Sequence, residues 1–312
     1  MTRKVQHILL QQAKINKKDE FYTQFVDIAN ELKHYKEHFY NKIVFCNCDD
    51  ARTSNFFKYF VQNFKNLGLK KIICASYNKN NQWGYYYEYT GYENKQPTLK
   101  DLTKFAGNGD FRSIESEKLL QQSDIVVTNP PFSLFREYVN QLVKFKKKFL
   151  IIGNVNAITY KDIFHLIKEN KIWLGVNLGR GISGFIVPPE YELYGTETRI
   201  NEYGDRIISP NNCLWLTNLD NKIRHTNIIL TKKYKGNEIH YPTYDNYNGI
   251  NVNQTKNIPM DYYGAMGVPI TFLHKFNPNQ FEIIKFRKGD DNKDLSINGK
   301  CPYFRILIKR IV

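Results

Sequence analysis

The stretch Asp124-Ile125-Val126-Val127-Thr128-Asn129-Pro130-Pro131-Phe132 passes from a run of four β-branched residues into a loop stiffened by two prolines. Ile125 to Thr128 show no apolar–polar alternation, which suits a strand buried on both faces. Proline lacks the N–H that a sheet ladder needs, so the chain must leave the sheet at Asn129. In open α/β sheets, ligands bind just beyond the carboxyl ends of the strands. The loop 129–132 therefore lies where chemistry is expected.

Outward from this run, the same unit repeats. Asn41 to Cys46, Lys71 to Ala75 and Phe149 to Ile152 read as further short buried strands. Helical spacing fills the intervals: Phe25, Ile28, Ala29, Leu32 and Tyr35 within 21–39, then Phe57, Phe60, Val61 and Phe64 within 54–67. Gly68 is well placed to end the second helix. Leu134 to Phe145 and Asp162 to Glu169 predict two more, and tyrosine-rich Trp83 to Glu93 predicts a β excursion turning at Thr90-Gly91. Strand alternating with helix predicts an α/β fold, a Rossmann-like and largely parallel sheet with helices on both faces. From about Lys171 the helical period fades. Strand-like pieces follow at Trp173-Leu174, Phe185 to Val187, Cys213 to Leu216 and Ile228 to Leu230. The expected division is a catalytic domain over 1–230 and a smaller region over 231–312.

The residue types at 129–132 answer a chemical problem. An exocyclic amine on adenine is a poor nucleophile because its lone pair is delocalised into the ring. The carboxamide oxygen of Asn129 and the main-chain carbonyl of Pro130 can both accept hydrogen bonds from such an amine. Accepting them draws the nitrogen towards tetrahedral geometry and frees the lone pair for a methyl group. Pro130 and Pro131 fix φ, so the acceptors are held in place beforehand. Phe132 offers a ring on which a base turned out of its helix can stack. The bland alternative is an ordinary strand-ending turn. Val187-Pro188-Pro189-Glu190 is an internal contrast, with two prolines but neither Asn nor aromatic.

Composition narrows the partners. The 312 residues hold 45 Lys plus Arg against 30 acidic residues, a net charge of +15, which favours a polyanion and salt-dependent binding. Residues 231–312 carry a net +6 and are about twice as basic per residue as the rest. The five cysteines show no paired zinc-ligand spacing, and Cys46-Asn47-Cys48 reads as strand packing, so no metal is expected. Residues 1–20 lack the apolar block of a signal peptide, and no apolar run approaches membrane-spanning length. A cytoplasmic protein without membrane contact is expected.

In these motifs and over almost its whole length, the sequence resembles the adenine N6 methylases of the EcoRI type. The resemblance implies a class I methyltransferase fold with a C-terminal target-recognition region and S-adenosyl-L-methionine as methyl donor. It implies double-stranded DNA as substrate, a monomer or weak dimer, and a possible cognate restriction endonuclease acting on the same site. Asn129, Pro130, Pro131 and Phe132 match the family's catalytic Asn-Pro-Pro-Phe motif. Asp19-Glu-Phe-Tyr-Thr-Gln24 is similar to its N-terminal cofactor segment, so Phe21, Tyr22 and Thr23 become donor-binding candidates; otherwise Thr23 is a helix N-cap. Cys48-Asp49-Asp50 followed by Ser54-Asn-Phe56 stands where most methyltransferases carry a glycine-rich loop. Either Asp49 or Asp50 could meet the donor's ammonium group. Gly107-Asn-Gly-Asp-Phe-Arg112 is similar to the element in which an aspartate and an apolar neighbour bind the donor's adenine, here Asp110 and Phe111. The usual ribose-binding acidic residue is not evident, since that place holds Ser76-Tyr-Asn78. Gly267 to Leu273 and Pro302 to Ile308 resemble pieces of the family's C-terminal region, and Lys275, Arg287, Lys288 and Arg305 beside them are candidate DNA contacts or plain solvated charges. The competing functions are a methyltransferase acting on adenine in RNA or on a protein glutamine, a catalytically inert DNA-binding relative, and a metal-dependent nuclease.

Overall fold

The computed structural model describes residues 22–78, 83–92, 96–177, 182–187, 198–208 and 212–311. These fall into two compact units, one of 1–163 and 177–219, the other of 164–176 and 220–312.

Four parallel strands form the centre of the first unit: β2 (Ile43–Cys46), β3 (Lys71–Ser76), β6 (Ile125–Thr128) and β7 (Lys148–Asn154). Each is a near-continuous apolar run, as strands covered on both faces must be. β4 (Tyr85–Tyr89), β5 (Thr103–Lys104) and β12 (Cys213–Thr217) complete this unit's part of the large sheet, in the order β5-β4-β3-β2-β6-β7-β12. These three run antiparallel to their neighbours, so the sheet is mixed rather than largely parallel. Between β3 and β4 the chain has only residues 77–84, too few for the crossover a parallel pairing needs.

The order reverses at β2, with β3 on one side and β6 on the other. Right-handed crossovers leaving in opposite directions carry their helices to opposite faces, as expected for this class. α1 (Phe25–Leu32) precedes β2, and α2 (Asn55–Gln62) and α3 (Phe64–Leu67) follow it. The single helix expected over 54–67 is thus broken at Asn63, and Gly68 ends it at φ +61°. α4 (Ile114–Gln122), capped by Ser113, precedes β6 and was not among the expected helices. α5 (Phe135–Lys144) and α6 (Lys161–Lys168) lie within a residue of expectation. Gly153 on β7 makes room for the Phe135 ring, because a Cβ there would stand 2.5 Å from it. The start of α5 is thereby pressed onto the sheet, which fixes where the loop 129–134 ends.

A smaller antiparallel sheet orders β1 (Tyr22–Thr23), β9 (Phe185–Val187), β11 (Arg206–Ile208) and β10 (Thr198–Ile200) as β1-β9-β11-β10. Tyr22 pairs with Ile186 and Thr23 with Phe185. Thr23 is therefore a strand residue and not a helix cap; Gln24 occupies the N-cap of α1. Buried carboxylates reinforce this docking: Asp27 accepts from Ser183 N and Oγ at 2.9 and 3.0 Å, and Glu31 accepts the Asn177 N–H at 2.7 Å.

The second unit contains β8 (Trp173–Leu174) and the strands β13 (Ile250–Asn251), β14 (Met266–Pro269), β15 (Phe281–Phe286) and β16 (Arg305–Arg310). The last four form a sheet ordered β13-β14-β16-β15. Ile228 to Leu230, expected as a strand, takes no regular structure, and Ile229 is exposed. No helix among the described residues is long and apolar enough to cross a membrane.

Candidate active site

The switch point between β2 and β6 is where an open sheet leaves a crevice. The chain beyond β2 turns through Asn47 to Asp50, and the Asp49 N–H bonds to the carbonyl of Ala75 at 2.9 Å. Two hydroxyls donate to the Asp49 carboxylate, Ser54 Oγ to Oδ1 at 2.7 Å and Thr128 Oγ1 to Oδ2 at 2.5 Å. Burial pushes the Asp49 carboxyl up to about 6, partly offset by these two bonds. Ser54 also accepts the N–H groups of Phe56 and Phe57 and so caps α2. Asp50 points its charge at Arg52, with an Nη2–Oδ2 separation of 2.5 Å. Side-chain bonds to the strand and helix ends thus hold a loop in which glycines would usually let the backbone approach the ligand.

Opposite, Gly109 at φ +78° lies against the end of β3, where a Cβ would fall 2.3 Å from the Ser76 carbonyl oxygen. Only glycine combines that φ with that approach. It delivers Asp110 and Phe111 to the crevice. Arg112 grips Asp110 with Nε–Oδ1 and Nη2–Oδ2 distances of 2.8 and 2.7 Å, and holds its carboxyl below the ordinary carboxylate range. Oδ1 also accepts the Arg112 main-chain N–H at 2.9 Å, so Oδ2 is the oxygen that keeps a further lone pair for a ligand. Phe111 is buried, its ring 5.0 Å edge-on from that of Tyr138.

The third wall is the loop after β6. Asn129 is half-buried with its carboxamide oxygen sealed from solvent, and Pro130 is buried. Pro131 leads into a 3₁₀ turn over Phe132–Leu134 and then α5. Tyr22, Thr23, Asp49, Asp50, Asp110, Phe111, Asn129 and Pro131, separated by more than a hundred residues in sequence, line one cavity of about 600 Å³. Pro130 and Phe132 are not in its wall, and the Phe132 ring stands 6.3 Å from Phe185 on β9. Phe21 lies outside the described residues.

The cavity also uses residues that sequence reading did not single out for this role: Arg52, Asn55, Tyr77, Tyr85 and Ser133. A signal for Tyr85 existed. Alternation along β4 puts Tyr85, Tyr87 and Tyr89 on one face, and the last two pack edge-on against Phe57. Ser76, Tyr77 and Asn78 line the wall where an acidic residue is usual, so hydroxyl and amide groups stand there instead of a carboxylate.

Over residues 9–311 the chain matches the family described as adenine-specific methyltransferase EcoRI. It is 66% identical to type II methyltransferase M.EcoRI of Escherichia coli, across 99% of this chain and 98% of that protein. The chain belongs to the EcoRI family of adenine-specific methyltransferases. M.MgeORF184P of Mycoplasma genitalium and M.MpnI of Mycoplasma pneumoniae, both named type II methyltransferases, are 40% and 37% identical, each across 96% of this chain and 97% of their own. No solved structure gives a significant match.

In the methyltransferase's second unit, Lys275 is exposed, whereas the other three candidate DNA-contacting cations are engaged with neighbouring groups. Arg287 and Lys288 share Asp294 at 2.6 and 2.8 Å, and Arg287 also lies 4.2 Å over the Phe304 ring. The Arg305 guanidinium donates to Asn251 at 2.9 Å. These three groups help to build the β14–β16 sheet region, whatever else they touch. Among the described residues, no group of three metal-capable side chains converges.

Proposed function

We propose that this methyltransferase transfers the methyl group of S-adenosyl-L-methionine to N6 of adenine in double-stranded DNA, as the modification half of a restriction–modification system in the cytoplasm. The observation that carries the reading is the meeting of Asn129 and Pro131 with Asp49, Asp50, Asp110 and Phe111 around one cavity.

The cavity suits the donor in size and chemistry. About 600 Å³ falls within the roughly 300–1,000 Å³ usual for ligand pockets. Asp49, with lone pairs beyond those taken by Ser54 and Thr128, offers an acceptor for an ammonium group. Asp50 shares that place in the loop, but Arg52 already neutralises it, which favours Asp49 of the two. Asp110, kept ionised by Arg112, accepts from an amine, and Phe111 supplies an apolar wall. When bound, the donor supplies an electrophilic methyl on sulfonium.

The protein's own part is to prepare the amine. Asn129 Oδ1 and the Pro130 carbonyl would accept hydrogen bonds from its two N–H groups, and the prolines limit the backbone freedom of these acceptors. In a duplex N6 is base-paired and the ring faces are stacked, so the base must be extruded, and Phe132 at the end of the loop would offer a ring to stack on it. The basic residues 231–312 are the proposed target-reading region. A transfer assay with tritiated donor and DNA, RNA and protein acceptors in parallel tests the assignment. Label in adenine of DNA is the expected result; label in RNA or protein but not DNA overturns it.

A further inference from the structure

Thr128 closes β6 and is followed at once by Asn129. It is fully buried, like Val126 and Val127 before it, where a methyl group would pack as well as a hydroxyl. A buried hydroxyl needs partners, and this one has two. Oγ1 donates to Asp49 Oδ2 at 2.5 Å and accepts the Cys48 N–H at 3.2 Å. Both partners belong to the loop after β2. The ladder between β2 and β6 pairs Val44 with Ile125 and Phe45 with Val126. Thr128 lies two residues beyond its end, so its hydroxyl carries the connection on where main-chain pairing stops. Asp49 is held in turn by Ser54 at the start of α2. The helix end, the carboxylate and the strand end that bears Asn129 form one bonded series.

We propose that Thr128 is a positioning residue whose hydroxyl sets the distance between the loop 47–50, which would hold the donor, and Asn129, which would hold the target amine. The proposal rests on the functional reading above. A hydrogen bond to a carboxylate is among the stronger and shorter ones available to a hydroxyl, so it suits a fixed spacing. Methyl transfer is sensitive to such spacing, because a displacement of about 1 Å at reacting groups costs up to about a hundredfold in rate.

The test compares Thr128→Val, which keeps the shape and removes the hydroxyl, with Thr128→Ser, which keeps the hydroxyl. Donor affinity by calorimetry at pH 8, single-turnover methylation of DNA and thermal midpoint are measured for each. The Val variant is expected to bind donor within about threefold of wild type while its transfer constant falls by about ten- to a hundredfold. The Ser variant is expected to recover transfer to within about threefold. Wild-type transfer in the Val variant overturns the proposal, as does a loss matched by donor affinity or not recovered by Ser. Should the Val variant fail to fold, Thr128→Ala replaces it; failure of both places the hydroxyl in stability and also overturns the proposal. Wild-type protein that binds donor but labels no DNA overturns the functional reading itself, which is a separate result.

Discussion

Asn129 gains its meaning from what flanks it. A strand end fixed by Thr128 precedes it, and two prolines follow, so the carboxamide sits on backbone with little freedom. Asn129→Ala removes an acceptor for the target amine and nothing that faces the donor's charged groups. Transfer is expected to fall by at least about 10²-fold, with donor affinity within about threefold of wild type, as single-turnover kinetics and calorimetry will read. Near-normal transfer in that variant would refute the role. Asp49 gives a pH prediction. Its carboxyl is raised to about 6 by burial. The groups facing it are Asp50, which Arg52 neutralises, and Cys46, Cys48, Cys74 and Tyr138, all pushed upward by burial and so neutral through this range. Only ionised Asp49 accepts from Thr128, Ser54 and an ammonium group together. Donor affinity should therefore rise as pH rises through about 6. The contribution to folding has the opposite sign: with the folded value above the ordinary 3.8, it is full below about 4 and lost as pH rises through 6. Donor titrations between pH 5 and 8 in buffers of different ionisation heat will show proton release near 6, and a flat profile would exclude the assignment.

At the scale of elements, legibility followed the range of the forces involved. β2, β3, β6 and β7 were readable because burial on both faces writes an unbroken apolar run into a few adjacent residues. α4 left a faint trace, since Ile114 is 74% exposed and only Ser116, Leu119 and Leu120 are buried. β1 is two residues long and exists through its pairing with β9, more than 160 positions away, which no local pattern can announce. Asp49 and Asp50 could not be separated in sequence because their difference is spatial: one meets two hydroxyls, the other a guanidinium. Gly109 lies within the motif 107–112, but its need for glycine emerges only from the approach to Ser76. Gly109→Ala is expected to cost about 1–3 kcal/mol in stability through the φ penalty and the backbone clash. Because the loop carries Asp110 and Phe111, donor affinity should fall by more than about tenfold. Thermal melts with and without donor check both parts; an unchanged melting shift on adding donor would show that the turn does not place those residues.

For the molecule as a whole, net charge and local pairing point to two binding events of different electrostatic character. The chain carries +15, yet within the cavity Asp50 is matched by Arg52 and Asp110 by Arg112. A ligand entering there meets charges that are paired or, at Asp49, buried, and salt screens such groups weakly. A polyanion instead meets the long-range surplus, to which 231–312 contribute a net +6. Because Arg287 is paired with Asp294 and lies over the Phe304 ring, Arg287→Ala is expected to change stability more than DNA affinity. Six neutralised phosphates would give a slope of about −5 for log affinity against log salt, a loss of about 10³-fold between 50 and 200 mM. Donor affinity over the same interval should change by less than about threefold. Fluorescence anisotropy with labelled duplex and calorimetry with donor measure the two slopes on one preparation. A DNA slope shallower than about −2 would mean that the surplus charge is scattered rather than gathered on a duplex-binding face, and equal slopes for both ligands would place the donor outside the paired cavity.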